Sequence, residues 1–187
     1  MSLEKGFSVE KAHRTQVELS KHLILEDELP STIRCVAGTD VAYTNNLSVA
    51  AAALLDFDSL QLKESQLAVQ KTVFPYIPTL LSFREIRATI AATKKLHTEP
   101  EIIFANGHGY AHPYRCGLAS HLGLILKKPI IGIAKSLLIG ALVKNSQTQD
   151  TVFIQDKGEI IGARVRTKSK SKPVYASVGH MISLETA

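Results

Sequence analysis

The sequence predicts a mixed α/β protein built on a five-stranded central sheet, and three observations carry that reading. Residues 33–73 hold three β-type runs in close succession, joined by short turns, as in an antiparallel meander. Residues 82–134 instead alternate helix, strand, helix and strand with compact connections, which implies a parallel portion. Two last runs, Gly158–Thr167 and Lys172–His180, close the chain as a hairpin.

Taken in order, Ser8 to Leu23 reads as a helix, with Ser8 as N-cap and Ala12, Val17, Leu19 and Leu23 as a loose apolar stripe. Pro30 and Ser31 interrupt the chain. Ile33–Tyr43 and Ser48–Phe57 follow as strands around a turn at Asn45-Asn46. The alanine run Ala50–Ala53 suits a helix on propensity alone, but its short length and turn-like flanks favour a buried strand. Leu60–Val73 alternates apolar and polar residues in places and makes the third strand. A helix over Ser82–Leu96 carries Phe83, Ile86, Ile90 and Ala91 at helical spacing. Glu101–Asn106 is a short buried strand, Ala111–Leu126 a helix, and Lys128–Ser136 another buried strand. The resulting order, β-β-β-α-β-α-β, is that of a ribonuclease-H-like fold.

At 187 residues the chain suits one domain with a substantial core. Its 45% hydrophobic and 21% charged residues are ordinary for a globular protein. No apolar run reaches the length of a membrane span, and the charged N-terminus lacks a secretory apolar region, so an intracellular, cytoplasmic protein acting off the membrane as a monomer is expected. Cys35 and Cys116 read as reduced thiols in or near the core rather than a disulfide. A net charge of +5 and a pI near 9.2 favour a polyanionic partner. Aromatic residues make up only 6% and Trp is absent, which argues against extensive base-stacking platforms.

Several polar residues stand where apolar strands end. Asp40 interrupts such a run and is either a solvent-seeking strand end or a metal ligand on a rigid strand. Glu85, near the start of a helix, is by itself an ordinary surface acid favoured by the helix dipole. Together the two offer oxygen ligands from separate elements, which suits Mg²⁺ or Mn²⁺. Asn106 closes Ile102-Ile103-Phe104-Ala105, and Lys135 closes Ile130–Ala134. Lys135 either forms a structural ion pair or neutralises a phosphate. His108, His112 and His121 invite a zinc reading, but Gly109 and Pro113 interrupt any helix across the first two, and no Glu completes a protease-type motif. His112, before Pro113 at an expected helix start, either contacts a phosphate or metal-bound water or caps the helix. Arg164, Arg166, Lys168, Lys170 and Lys172 recur at every second position, which on an extended strand places them on one face as a backbone track. A solvated hairpin tip is the alternative. The stiff loop Pro75-Tyr76-Ile77-Pro78 is either a packed connection or a wedge between bases.

The stretches VAGTDVAY, FPYIPTLLSFREI, GHGYAHPYRCGLASHLG, PIIGIAKSLLIG and GARVRTKSKSKPVYASVGHMISLETA resemble, in order, successive motifs of the endonuclease V family. The resemblance runs from about Ser8 to the last residue. It implies a ribonuclease-H-like nuclease that recognises deoxyinosine in DNA, and in some members inosine in RNA, and cuts the second phosphodiester bond on the 3′ side with Mg²⁺ or Mn²⁺. Asp40 and Glu85 match the family's metal-binding carboxylates, Lys135 its active-site lysine, His112 the histidine of its His-Pro motif, and Pro75–Pro78 its wedge. A pocket for the everted base is expected around Gly107, Gly109 and Gly117, with Leu138 nearby, since an extruded base needs a compensating enclosure. Arg115, His121, Arg166 and Lys168 are counted with the substrate-binding positions.

Three departures from the family pattern stand out. Its third carboxylate is Asn106 here; the residue after the wedge, commonly Gly, is Thr79; and a further Asp or His supplied by many relatives near the metal has no counterpart up to Ala187. Replacing an acid by its amide keeps the shape and removes a charge, so weakened metal binding and slowed cleavage are expected. The rival readings are a non-catalytic binder of inosine-containing nucleic acid and, less well suited to the basic residues and the wedge, a phosphohydrolase of small molecules.

Overall fold

The computed structural model describes residues 7–144 and 151–187. Its elements are α1 (Val9–Ser20), β1 (Cys35–Thr44), β2 (Leu47–Asp56), β3 (Leu62–Lys71), α2 (Leu81–Thr93), β4 (Ile102–Asn106), α3 (Leu118–Leu126), β5 (Ile130–Ala134), β6 (Ala141–Lys144), β7 (Thr151–Asp156), β8 (Glu159–Val165) and β9 (Val174–His180). They form one sheet in the order β3-β2-β1-β4-β5-β9-β8-β7-β6.

The first five strands of that order are the expected sheet. β1, β2 and β3 are the antiparallel meander, and β4 and β5 extend it in parallel with β1. The turn between β1 and β2 falls on Asn45 and Asn46, both at positive φ (45° and 63°), a conformation that Asn tolerates. The alanine run lies in β2, where Ala50 and Ala52 are buried and their small side chains let α2 pack closely on the sheet. Cross-strand pairing outweighs the helical preference of alanine.

The sheet does not stop at five strands. β9 adds antiparallel to β5, and β8, β7 and β6 continue outward to give nine strands. The expected hairpin is β8–β9, but β6 and β7 were not expected. Their short apolar runs flank a polar stretch and give no period long enough to detect. Ala111, Ile154 and Ile161 are buried beneath this extension.

The main core lies between the sheet and α2 and α3, with Ala37, Leu54, Ile103, Leu122 and Ile130 fully enclosed. On the opposite face Val36, Ile102, Ile131, Val178 and Ile182 form a second cluster. Cys35 and Cys116 are buried free thiols, as expected, and burial pushes the Cys116 thiol up to about 12. No helix of the described residues is long and apolar enough to cross a membrane.

Four local expectations are corrected. α1 does begin after Ser8, whose hydroxyl caps the Lys11 N–H at 3.3 Å. However, it buries Ala12 and Gln16 and leaves Val17 exposed, because it lies across α3 rather than on the sheet. α2 turns Ser82, Glu85, Ile86, Ala88, Thr89, Ala92 and Thr93 inward, with Phe83, Ile90 and Ala91 only partly covered. Thr89 and Thr93 donate to the carbonyls of Glu85 and Thr89, which makes burial of their hydroxyls tolerable. α3 begins at Leu118, not Ala111, so His112-Pro113 lies in an irregular connection before it. Finally, β8 ends at Val165 and the chain turns over residues 167–171, where the Ser171 hydroxyl bonds the Lys168 carbonyl. The five alternating basic residues therefore share no strand face; Arg166, Lys168, Lys170 and Lys172 sit on an exposed hairpin tip.

Candidate active site

Parallel strands bring their carboxyl ends to one edge of a sheet, the place where ligands settle in open α/β proteins. The pairings Thr39 with Ala105 and Asn106 with Ile133 set β1, β4 and β5 level there. Asp40, Asn106 and Lys135 follow at that edge, and all three line a cavity of about 340 Å³. α2 crosses the same end of the sheet and presents Glu85 to the cavity from its buried face.

Asn106 donates from Nδ2 to Oδ1 of Asp40 at 2.7 Å, and the same oxygen accepts the Val41 N–H at 2.8 Å. The amide thus makes a charge-assisted bond where a second carboxylate would meet repulsion. Glu85 is buried, and this burial pushes its carboxyl from near 4.5 up to about 7. Its bond from the Tyr43 hydroxyl, at 2.8 Å, pulls the other way, and the nearby Asp40 charge adds to the rise. Tyr43 in turn is pushed up, first by burial and then by Glu85, while the Arg84 guanidinium stacks 4.2 Å from its ring centre. Tyr43 escaped the sequence reading because an aromatic residue near a strand end carries no signal of its own. Lys135 is exposed and forms no ion pair with any described residue, against the structural-pair alternative.

The same cavity is also lined by Tyr76, Ile77, Gly107, Gly117 and Leu138. Tyr76 is 69% exposed at the tip of its loop, and Pro75 and Pro78 flank it without lining the cavity. Gly117 is required by space: a Cβ there would stand 2.2 Å from the His108 carbonyl oxygen. Gly109 is equally constrained, 2.1 Å from the Val178 oxygen, but it packs on β9 and does not line the cavity. His112 is buried in the cavity wall. Nε2 lies 3.0 Å from the Thr79 carbonyl oxygen and Nδ1 accepts the Tyr114 N–H at 3.2 Å, so the Nε2–H tautomer is the one that fits. Burial pushes its pKa down to about 4, which keeps the ring neutral at pH 7. Both nitrogens thus bond the backbone, and the ring does not cap α3, whose N-cap is Gly117.

Other named residues lie outside the cavity. Arg115 is held by Asp156 and Glu159, each at 2.9 Å, and ties the connection before α3 to the outer strands. His121 packs its ring edge on Phe83. Arg166 and Lys168 stand at the hairpin tip. Among the described residues no three His, Cys, Asp or Glu side chains come together as a metal cluster, and Asn106 is the non-acidic member of the group at the strand ends.

Thr79 adopts φ 70°. A β-branched residue is strained there by roughly 1–2 kcal/mol. Its hydroxyl lies 2.9 Å from Nε2 of His13, a bond worth about 1 kcal/mol net. Thr79→Ala keeps the strain and loses the bond, so a loss of about 1 kcal/mol is expected in urea unfolding. Thr79→Gly, which loses both, should remain within about 1 kcal/mol of the parent chain.

The comparisons agree with this geometry. The family model Endonuclease V matches residues 17–187. The endonuclease V of Nostoc sp. strain PCC 7120 is 48% identical over 186 residues, which cover 96% of this chain and 83% of that protein. The crystal structure of endonuclease V from Streptomyces avermitilis superposes with a TM-score of 0.87 at 36% identity, over 99% of this chain and 84% of that one. The Ciona intestinalis endonuclease V, solved with a 24mer DNA containing an inosine followed by a ribo-adenosine, superposes at 0.86 and 29% identity, over 96% of this chain and 86% of that one. With the ribonuclease-H-like sheet and the strand-end residues in place, the chain belongs to the endonuclease V family.

Proposed function

We propose that this chain recognises deoxyinosine in DNA, or inosine in RNA, and hydrolyses the second phosphodiester bond on the 3′ side with Mg²⁺ or Mn²⁺, at a rate held low by Asn106. One observation carries the reading: a single cavity joins the oxygen-bearing edge of Asp40, Glu85 and Asn106 to a glycine-backed wall topped by the exposed Tyr76. The bond position follows from the family resemblance, and the Ciona complex with inosine-containing DNA supports the choice of ligand.

The donor set fits a hard cation. Glu85 is a buried carboxyl that resists ionising beside Asp40, and a cation offsets both the burial and the repulsion. Asp40, Glu85 and the Asn106 carbonyl oxygen would hold it, and when bound it neutralises phosphate charge and acidifies water. Lys135, which lines the cavity without an ion pair among the described residues, would offset the charge of the scissile phosphate. Tyr76 and Ile77 enter between bases, while Gly107 and Gly117 leave room for an everted one and expose backbone to its edge. Neutral His112 holds the floor of the wedge loop through the Thr79 carbonyl.

The bond between Asn106 and Asp40 favours a second reading, a binder of inosine-containing nucleic acid that does not cut, since the pair is satisfied without a cation. Cleavage by Asn106→Asp in Mn²⁺ separates the two readings, matched duplexes with inosine or adenine test both, and strands with and without the 2′-hydroxyl decide between DNA and RNA. Preferential binding of inosine, weakening as salt rises, is the expected result. Equal affinity for inosine and adenine would overturn both readings.

A further inference from the structure

We propose that Gln16 of α1 is a positioning residue that fixes the spacing between the wedge loop and the base pocket, an inference that rests on the functional reading above. The side chain of Gln16 is fully buried, and its amide N–H donors are spent on two separate walls of the site. Nε2 donates to the Thr79 carbonyl at 2.9 Å and to the Cys116 carbonyl at 2.9 Å. Thr79 ends the wedge loop. Cys116 precedes Gly117, the cavity-lining residue that caps α3. One amide group therefore bridges the element meant to part the strands and the element meant to receive the base.

The chemistry at this point requires a donor. Both groups that face Gln16 are carbonyl oxygens, and its own Oε1 is buried without a hydrogen-bond partner. The amide is thus oriented wholly by its two donor bonds, at the expense of its acceptor. The Thr79 carbonyl also receives His112, so two side chains converge on one oxygen beside the strained residue. One turn earlier on the same face of α1, His13 repeats the bridge: its Nε2 meets the Thr79 hydroxyl at 2.9 Å, and its ring stacks on Tyr114 at 4.2 Å. α1, which contributes little to the main core, clasps the two sides of the cavity instead.

A wedge does its work on a duplex, where a strand must be parted, and has little to do on a single strand. Loosening it should therefore cost duplex binding selectively. Gln16→Met keeps the length and removes both donors, and Gln16→Glu keeps the shape and sets a carboxylate against the carbonyls. His13→Ala, at a half-buried position, removes the second contact with Thr79 and should give the same duplex-selective loss. Because the sequence has no Trp, Tyr76→Trp gives a sole reporter at the loop tip. In that background Gln16→Met is expected to lower the anisotropy of the reporter. It should weaken binding of an inosine duplex about tenfold or more, while binding of an inosine single strand changes less than about threefold. Equal losses on both substrates, or an unchanged anisotropy, would overturn the positioning role and leave Gln16 a folding residue. A parent chain that binds inosine and adenine duplexes alike overturns the functional reading itself and the role with it, and is told apart because it needs no variant.

Discussion

Asn106→Asp should raise cleavage of an inosine-containing duplex in Mn²⁺ by on the order of 10²–10³-fold. Charge sets the size of the effect: an added anion about 4 Å from a divalent ion is worth about 4 kcal/mol or more near a protein surface, before desolvation is subtracted. A few kcal/mol of cation or transition-state binding corresponds to about two to three decades in rate or affinity. The substitution acts on the cation-free protein too. It exchanges the 2.7 Å amide bond for two carboxylates in contact, so the Asp form should be less stable than the parent without metal. Added Mn²⁺ should then raise its melting temperature more than that of the Asn form, since a ligand stabilises in proportion to its affinity. Equal cleavage by the two forms, with equal thermal response to Mn²⁺, would sink the assignment of Asn106 as the weakened ligand.

Glu85→Gln should stabilise the cation-free protein above neutral pH while abolishing cleavage. Glu85 has a folded pKa of about 7 against an ordinary value near 4.5, a displacement worth roughly 3 kcal/mol. Its sign is that of a raised group. Its favourable contribution is complete below pH 4.5 and is lost as pH rises to about 7, because the unfolded chain releases a proton that the fold retains. Over that interval the metal-free parent should therefore lose stability relative to the Glu85→Gln chain, which keeps an acceptor for the Tyr43 hydroxyl. Both chains share an opposite trend from His112 over an overlapping range, which cancels in the difference between them. His112 is lowered to about 4 by burial, so its contribution is present above pH 6.5 and disappears as pH falls through 4. Urea unfolding at pH 5, 6, 7 and 8 checks this: parallel curves for the two chains would show that Glu85 is not the titrating burden.

The sequence was most informative where a residue's meaning is local. Ser8 as a cap, the Asn45-Asn46 turn, the three-strand meander and the apolar strands ending at Asn106 and Ala134 all follow from patterns a few residues long. Asp40, Asn106 and Lys135 were legible for a related reason, since polar residues at the ends of buried strands need a use, whereas Glu85, on a helix, gained meaning only beside Asp40 and through the family resemblance. What misled was context. His112-Pro113 resembles a helix start, yet the chain stays irregular until Gly117, because Gly109 and Gly117 must press against neighbouring backbone. The alternating lysines and arginines resemble a strand face, but a hairpin must turn somewhere, and it turns there.

The sequence by itself determined the class of fold, the strand ends that bear polar groups and the family. Those depend on periodicity and on motifs that survive in one dimension. Only the tertiary structure decided which partner each polar atom finds: that Asn106 bonds Asp40, that Glu85 is raised by burial and bonded by Tyr43, that His112 and Gln16 converge on one carbonyl, and that four further strands extend the sheet. Hydrogen bonding and desolvation act over a few ångströms, and residues separated by 63 or 66 positions come that close only once the strands are set in register.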